Sequence, residues 1–199
     1  MTSYKDFMYQ YVSLSSEQWS KFASKITTKK YKKGDIILAA GDVCKELLFI
    51  EEGLARGYII AEDGKDYTWS IYFNDQDAQI TNVYIVDYES FLAKKPAQLS
   101  IDALEDTRVT ILTYANLQYL YEHVTGGDKF GRFMAEGAYT TVHNRVINRI
   151  SKSAKERFDE FVEQTPYLLE KVPQYHIATY LGVTPQHLSR LKQDYRENN

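Results

Sequence analysis

Cysteine is almost missing from this chain: Cys44 stands alone among 199 residues. One thiol excludes an internal disulfide and any multi-thiolate cluster, and it leaves Cys44 the role of a small buried hydrophobe. Long hydrophobic runs are missing too. No apolar stretch is long enough to span a bilayer, and the polar start Met1-Thr2-Ser3-Tyr4-Lys5 carries no signal-peptide pattern. No membrane partner and a reduced cytoplasmic setting are therefore expected. Histidine is scarce, and His123, His143, His176 and His187 fall far apart, outside the stretch that reads as β-structure. A catalytic metal in a β-roll needs clustered histidines with a carboxylate, usually with two histidines two residues apart. That counts against a cupin-like metal enzyme, the rival reading from another class. Gly-x-Ser-x-Gly, a phosphate loop and a Cys/His nucleophile arrangement are also absent. No enzyme activity, metal or cofactor is expected.

Neither sign of charge dominates. The formal charge is −3, from 24 basic and 27 acidic residues. A hydrophobic content of 44% is ample for a packed core, and 26% charged residues argues against disorder. The length suits two modest domains or one large one. From His143 to Asn199 there are nine basic and seven acidic side chains, so the end of the chain is mildly basic. This gives weak support to a nucleic-acid role, with modest affinity and strong salt dependence.

What is present is most informative near the end. In the run Val172 to Lys192, two helical patterns meet at Gly182. Ile177, Ala178 and Leu181 share one face of the first. Glycine then supplies the left-handed turn. Thr184 is a good N-cap for the second pattern, and Pro185 sits where its missing N–H costs nothing. Leu188 and Leu191 point inward, leaving Gln186, His187, Ser189, Arg190 and Lys192 outward. This is the writing of a helix-turn-helix. Gln can pair with adenine and Arg with guanine, while Ser and Lys can hold phosphates. The plainer alternative is a helical hairpin with a solvated polar face.

Earlier, residues 4 to 29 read as helical, through Phe7, Met8, Tyr11 and Val12, then a capped segment from Ser15-Ser16-Glu17-Gln18 through Trp19, Phe22 and Ile26. Lys29 to Lys33 is a basic run of the kind found on a solvated strand edge. From Tyr31 to Leu112 short strands alternate with turns. Gly34-Asp35 and Gly41-Asp42 bracket Ile36-Ile37-Leu38, Leu47 to Ile50 is a buried run, and Glu62-Asp63-Gly64-Lys65 is a hairpin signal. Tyr67, Trp69, Ile71 and Phe73 alternate with Thr68, Ser70 and Tyr72. Two more strands follow near Leu99–Ala103 and Val109–Leu112. The pattern predicts a jelly roll or barrel. A short helix, Tyr88 to Leu92, interrupts it, and its N–H groups offer a place for an anion. After Tyr114 come a helix through Leu117, Leu120, Tyr121 and Val124, then a long one from about Asp128 to Ile150. Its stripe of Phe130, Phe133, Met134, Ala138, Thr141, Val142 and Ile147, with Gly137 among them, reads as a dimerisation helix or a core helix. Ser151-Lys152-Ser153 is a plausible hinge. A further helix, Ala154 to Gln164, puts Phe158, Phe161 and Val162 inward.

Taken together, the chain reads as α+β, with an N-terminal β-roll and dimerisation helix over residues 1–151 and a helix-turn-helix domain over 152–199. That order resembles the CRP/FNR family of bacterial transcription regulators. The resemblance runs from about Tyr31 to Lys192. It is carried by Lys33-Gly34-Asp35-Ile36-Ile37, Glu52-Gly53-Leu54-Ala55-Arg56, Glu62-Asp63-Gly64-Lys65, Tyr88 to Leu92, Ala103-Leu104-Glu105-Asp106, and Ile177 to Arg190. These runs look most like the branch common in Bacteroidetes. The resemblance implies a cyclic-nucleotide-binding-like sensor domain and a homodimer paired through the helix near 128–150. It also implies double-stranded DNA as partner, and RNA polymerase if the protein activates. Thr184, Gln186 and Arg190 would occupy recognition-helix positions, and Gln174 would sit near a phosphate.

Two departures shape the expectation. Members that bind cyclic nucleotides carry an arginine after the short pocket helix to neutralise the phosphate. Here that window reads Pro96-Ala97-Gln98-Leu99-Ser100, and the nearby Lys94 and Lys95 are point charges rather than two-pronged donors. A cAMP response is not expected. The chain also stops a few residues after the recognition helix, which leaves no β-hairpin wing. Tyr72, Tyr84, Tyr88, Glu89, Ser90 and Gln98 form the candidate pocket for an unknown effector. Tyr58 and Tyr67 are further candidates for its aromatic wall. A constitutive regulator with a filled, ligand-free roll is the alternative.

Overall fold

The computed structural model describes residues 2–198 apart from 76, 77 and 79–81. Met1 and Asn199, the outer ends of the expected domains, lie outside the described residues. The chain opens with α1 (Tyr4–Tyr9) and α2 (Ser16–Ala23). Ser15 and Gln18 close a reciprocal capping box at the start of α2, satisfying N–H groups that a helix leaves open. The helix ends at Ala23 rather than near residue 29. Thr27–Tyr31 is instead the strand β1, where β-branched threonines favour extended backbone over helix. Its exposed lysines lie on a sheet edge, as their run suggested.

The roll continues with β2 (Ile36–Leu38), β3 (Glu46–Glu52), β4 (Leu54–Ile60), β5 (Asp66–Phe73), β6 (Tyr84–Ile85), the helix α3 (Tyr88–Ala93), β7 (Ser100–Ala103) and β8 (Thr107–Thr113). Among the described residues these strands form two antiparallel sheets, ordered β1-β8-β3-β6 and β2-β7-β4-β5. Gly53, at φ 98°, makes the turn between β3 and β4, and a Cβ there would lie 2.5 Å from the Asp106 carbonyl oxygen. Only glycine fits so tight an approach. Ile50, Ile85 and Ile101 belong to the core of the roll, while Phe49 and Leu112, on the other face of their sheet from Ile50, pack in the same cluster with Tyr4, Phe7 and Met8 of α1 and Phe22 of α2. Cys44 is buried in the same core.

Next come α4 (Tyr114–His123) and the 25-residue α5 (Gly127–Ser151). In α5 only Gly127 and Phe130 are buried. Tyr139, Val142, Val146, Ile147 and Ile150 stand exposed, Ile150 at 79%. Of the expected stripe, then, only Phe130 is core, and a Cβ at Gly137 would meet open space. Lys152 is extended at the expected hinge, and Ser153 with Glu156 caps α6 (Ala154–Gln164). The remaining helices are α7 (Leu168–Lys171), α8 (Gln174–Leu181) and α9 (Pro185–Asn198). The boundary expected between 151 and 152 lies at the end of α5, just before α6.

A second core crosses that boundary. Strand β5 splits its side chains between two interiors: Tyr72 enters the roll, while Ile71 and Phe73 face outward with Leu54 and Leu104. These four pack with Phe158, Phe161, Leu168, Ile177, Leu181 and Leu188. The clearest alternation in the sequence thus marks a strand buried on both faces over its second half. Among the described residues no helix is long and apolar enough to cross a membrane.

Candidate nucleic-acid interface and effector cavity

Gly182, at φ 69°, ends α8 in the left-handed region. The Arg149 guanidinium of α5 lies where its Cβ would be, so a side chain there would both strain the left-handed backbone and displace that arginine. Thr184 Oγ accepts the His187 N–H at 3.1 Å, and Pro185 begins α9. Ile177, Ala178 and Leu181 of α8 and Leu188 and Leu191 of α9 are buried against each other. Tyr195 adds an edge-on contact to Phe158. With that side fixed inward, the helical period turns Gln186, Ser189 and Arg190 to solvent. Thr184, Pro185 and His187 are exposed at the helix start, and Gln174 is exposed at the start of α8. Lys192 is half-buried on the flank. Gln193, seven residues after Gln186, continues the outward stripe; the sequence reading missed it although the spacing shows it. The helix runs on to Asn198.

A polar seam fixes α8 to the outer face of the roll. The Thr179 hydroxyl lies 2.9 Å from Thr68 Oγ and accepts the Thr68 N–H at 3.1 Å. Tyr175 donates its hydroxyl to the Asp66 carbonyl at 3.2 Å. Buried Arg56 grips Asp102 with two N–H groups, at 3.2 and 3.1 Å, and Asp66 at 2.7 Å, and it meets His176 Nδ1 at 2.6 Å. Lys171 of α7 reaches Glu105 at 3.0 Å. From α5, Arg145 donates to the Trp69 carbonyl, with its guanidinium over the rings of Trp69 and Tyr180.

Beside this junction, between the roll and α5, is a cavity of about 240 Å³ lined in part by Trp69, Tyr72, Tyr84, Tyr88, Met134 and Arg145. Burial pushes the Tyr88 hydroxyl up to about 12 and those of Tyr72 and Tyr84 up as well, so all three are neutral hydrogen-bonding groups at neutral pH. Three of the expected pocket residues lie outside this lining. Glu89 and Gln98 bond each other at 3.3 Å on the surface. Ser90 accepts the Cys44 N–H at 2.8 Å and donates to the Lys95 carbonyl. Tyr58 stacks on Arg56 instead, and Tyr67 is exposed.

The Ser90 N–H at the start of α3 is not open to an anion. The buried Asp87 carboxylate accepts from Ser90 at 3.0 Å, and from Gln98 and Leu99 at 3.2 and 3.3 Å. Its charge occupies the place where helix start and following strand converge. The signal was legible, since Asp one residue before Tyr88-Glu89-Ser90 is an N-cap pattern.

Residues 28–124 match the family described as Cyclic nucleotide-binding domain. FixK2 from Bradyrhizobium japonicum aligns with a TM-score of 0.69 at 17% identity, over 87% of this chain and 85% of its own. A CRP/FNR-family transcriptional regulator from Eubacterium rectale gives 0.65 at 19%, over 93% and 85%. A CooA variant from Carboxydothermus hydrogenoformans gives 0.64 at 19%, over 92% and 81%. No curated protein sequence matches the chain. The roll matches that domain family, and the chain as a whole has the fold of the CRP/FNR regulators.

Proposed function

We propose that this protein is a homodimeric, sequence-specific DNA-binding transcription regulator of the CRP/FNR type. The observation that carries the reading is the outward stripe of α9, Gln186, Ser189 and Arg190, on a helix whose other side is buried. Two such helices would enter successive major grooves about 34 Å apart on a pseudo-palindromic site. Tyr139, Val142, Val146 and Ile150, exposed at three- and four-residue spacing on α5, supply the apolar face for a second copy. Fluorescence anisotropy with genomic fragments at physiological salt tests the assignment. Tighter binding to some fragments than to random DNA is expected, and equal binding to all would sink it. Val146→Glu should shift the sedimenting species from dimer toward monomer.

The regulator would work in the cytoplasm and, as an activator, would meet RNA polymerase. Its effector site is the cavity between roll and α5, shaped for a small molecule with an aromatic or apolar body. Cyclic AMP is a poor fit, because Asp87 sets a buried carboxylate where a phosphate would need N–H donors. A ligand-free, constitutive form is the second reading, favoured by the internal hydrogen bonds that Ser90, Glu89 and Gln98 already make. A thermal-shift screen of nucleotides and metabolites separates the two, since a ligand at 100 times its Kd adds about 2.7 kcal/mol. Stoichiometric metal in the purified protein would instead revive an enzyme.

A further inference from the structure

The seam between α8 and the roll is built around one imidazole. His176 Nδ1 stands 2.6 Å from Arg56 Nη1. A guanidinium offers only N–H donors, so Nδ1 is the acceptor and the ring is neutral, with its proton on Nε2. Every element packed around it contributes a polar group. From β4 comes Arg56, 4% exposed and covered by the Tyr58 ring at 4.1 Å. From β5 comes Asp66, and from β7 Asp102, both bound to that arginine. From its own helix, the Tyr175 ring meets the imidazole edge-on at 5.7 Å.

We propose that the His176–Arg56 contact is a proton-operated latch, which opens when mild acid protonates Nδ1 and so releases α8 and the reading helix from the roll. A solvent proton binds Nδ1, no covalent bond breaks, and the acceptor that α8 presents to the guanidinium becomes a donor. Two cations then oppose each other at hydrogen-bond distance. Asp66 and Asp102 bring two negative charges against this, yet Arg56 already engages both. Burial first, and the Arg56 charge second, hold the imidazole below its ordinary value of 6.5 while α8 is docked. The sign follows. A group whose pKa is lower in the docked state favours docking above the released value, near 6.5, and loses that contribution as pH falls through the docked value. The proton would thus act on the orientation of the reading helices from a site apart from the tyrosine cavity. This inference goes beyond the proposed function, and its test reads the joint without DNA.

The Thr68 N–H reports docking, because its acceptor belongs to α8. Hydrogen exchange of the full-length protein between pH 8 and 5, corrected for intrinsic rates, should show Thr68 protection falling about three- to tenfold below pH 6.5. The Ile50 N–H, donated to Val83 within the roll, should stay protected. His176→Asn keeps an acceptor oxygen without a titrating group and should flatten the Thr68 curve. Constant Thr68 protection in the native protein, or an equal fall in His176→Asn, overturns the latch. An NMR titration placing the native imidazole at or above its ordinary range does so too, whether or not the variant folds.

Discussion

Helices α8 and α9 meet the rest of the molecule in different ways. Helix α8, besides burying Ile177 and Leu181 against the roll, is tied to it through directional polar contacts at Arg56, Asp66 and Thr68. Helix α9 is held by apolar burial along Leu188 and Leu191, and its far side is bare. Polar contacts are specific in angle and costly when half-made, so they set orientation. Apolar burial tolerates change on the opposite face, so it leaves that face free for recognition. In the proposed function one helix would aim and the other would read.

Substitutions can break this contrast in order of size. Arg56→Met should be the most damaging, because it strands Asp66 and Asp102, whose side chains are 24% and 18% exposed. A loss of about 3–5 kcal/mol in urea denaturation is expected, toward the lower end because some solvent reaches both carboxylates. Arg190→Ala should leave stability within about 0.5 kcal/mol yet remove about 1–3 kcal/mol of binding to a preferred DNA site, read by anisotropy. Equal losses on preferred and random DNA would reassign Arg190 to phosphate. Gly182→Ala should cost about 1–2 kcal/mol from its left-handed backbone, with a further clash against Arg149. Adding Arg149→Ala should recover only the clash, seen as coupling in a double-mutant cycle. Smallest is Thr184→Ala, which removes the cap of α9 and should lower thermal stability by about 1 kcal/mol.

Features coded within a few residues were legible in the sequence. The Ser15 cap, the Gly64 hairpin, the Gly182 turn and the inward leucines of α9 all appear where local chemistry puts them. The strand β6 and the helix α7 were not legible, since two and four residues are too few to show a period. The alternation in β5 revealed a strand but not that its outward side serves a second core, because the helices covering it lie about a hundred residues away. Arg56 and His176 are 120 positions apart, and neither carries a local signature of the other. The candidate pocket divided for the same reason. Tyr72 and Tyr84 on separate strands and Tyr88 at the start of α3 converge with α5, whereas Glu89, Ser90 and Gln98 serve the fold around α3.

Strand β5 lies at the rim of its sheet, and the Thr179 hydroxyl occupies one of its outward amides. Helix α8 is therefore a cover for a rim that would otherwise recruit other chains. Cutting the protein at the hinge would uncover that rim together with Leu54, Ile71, Phe73 and Leu104, and the severed roll would pay for its independence in solubility.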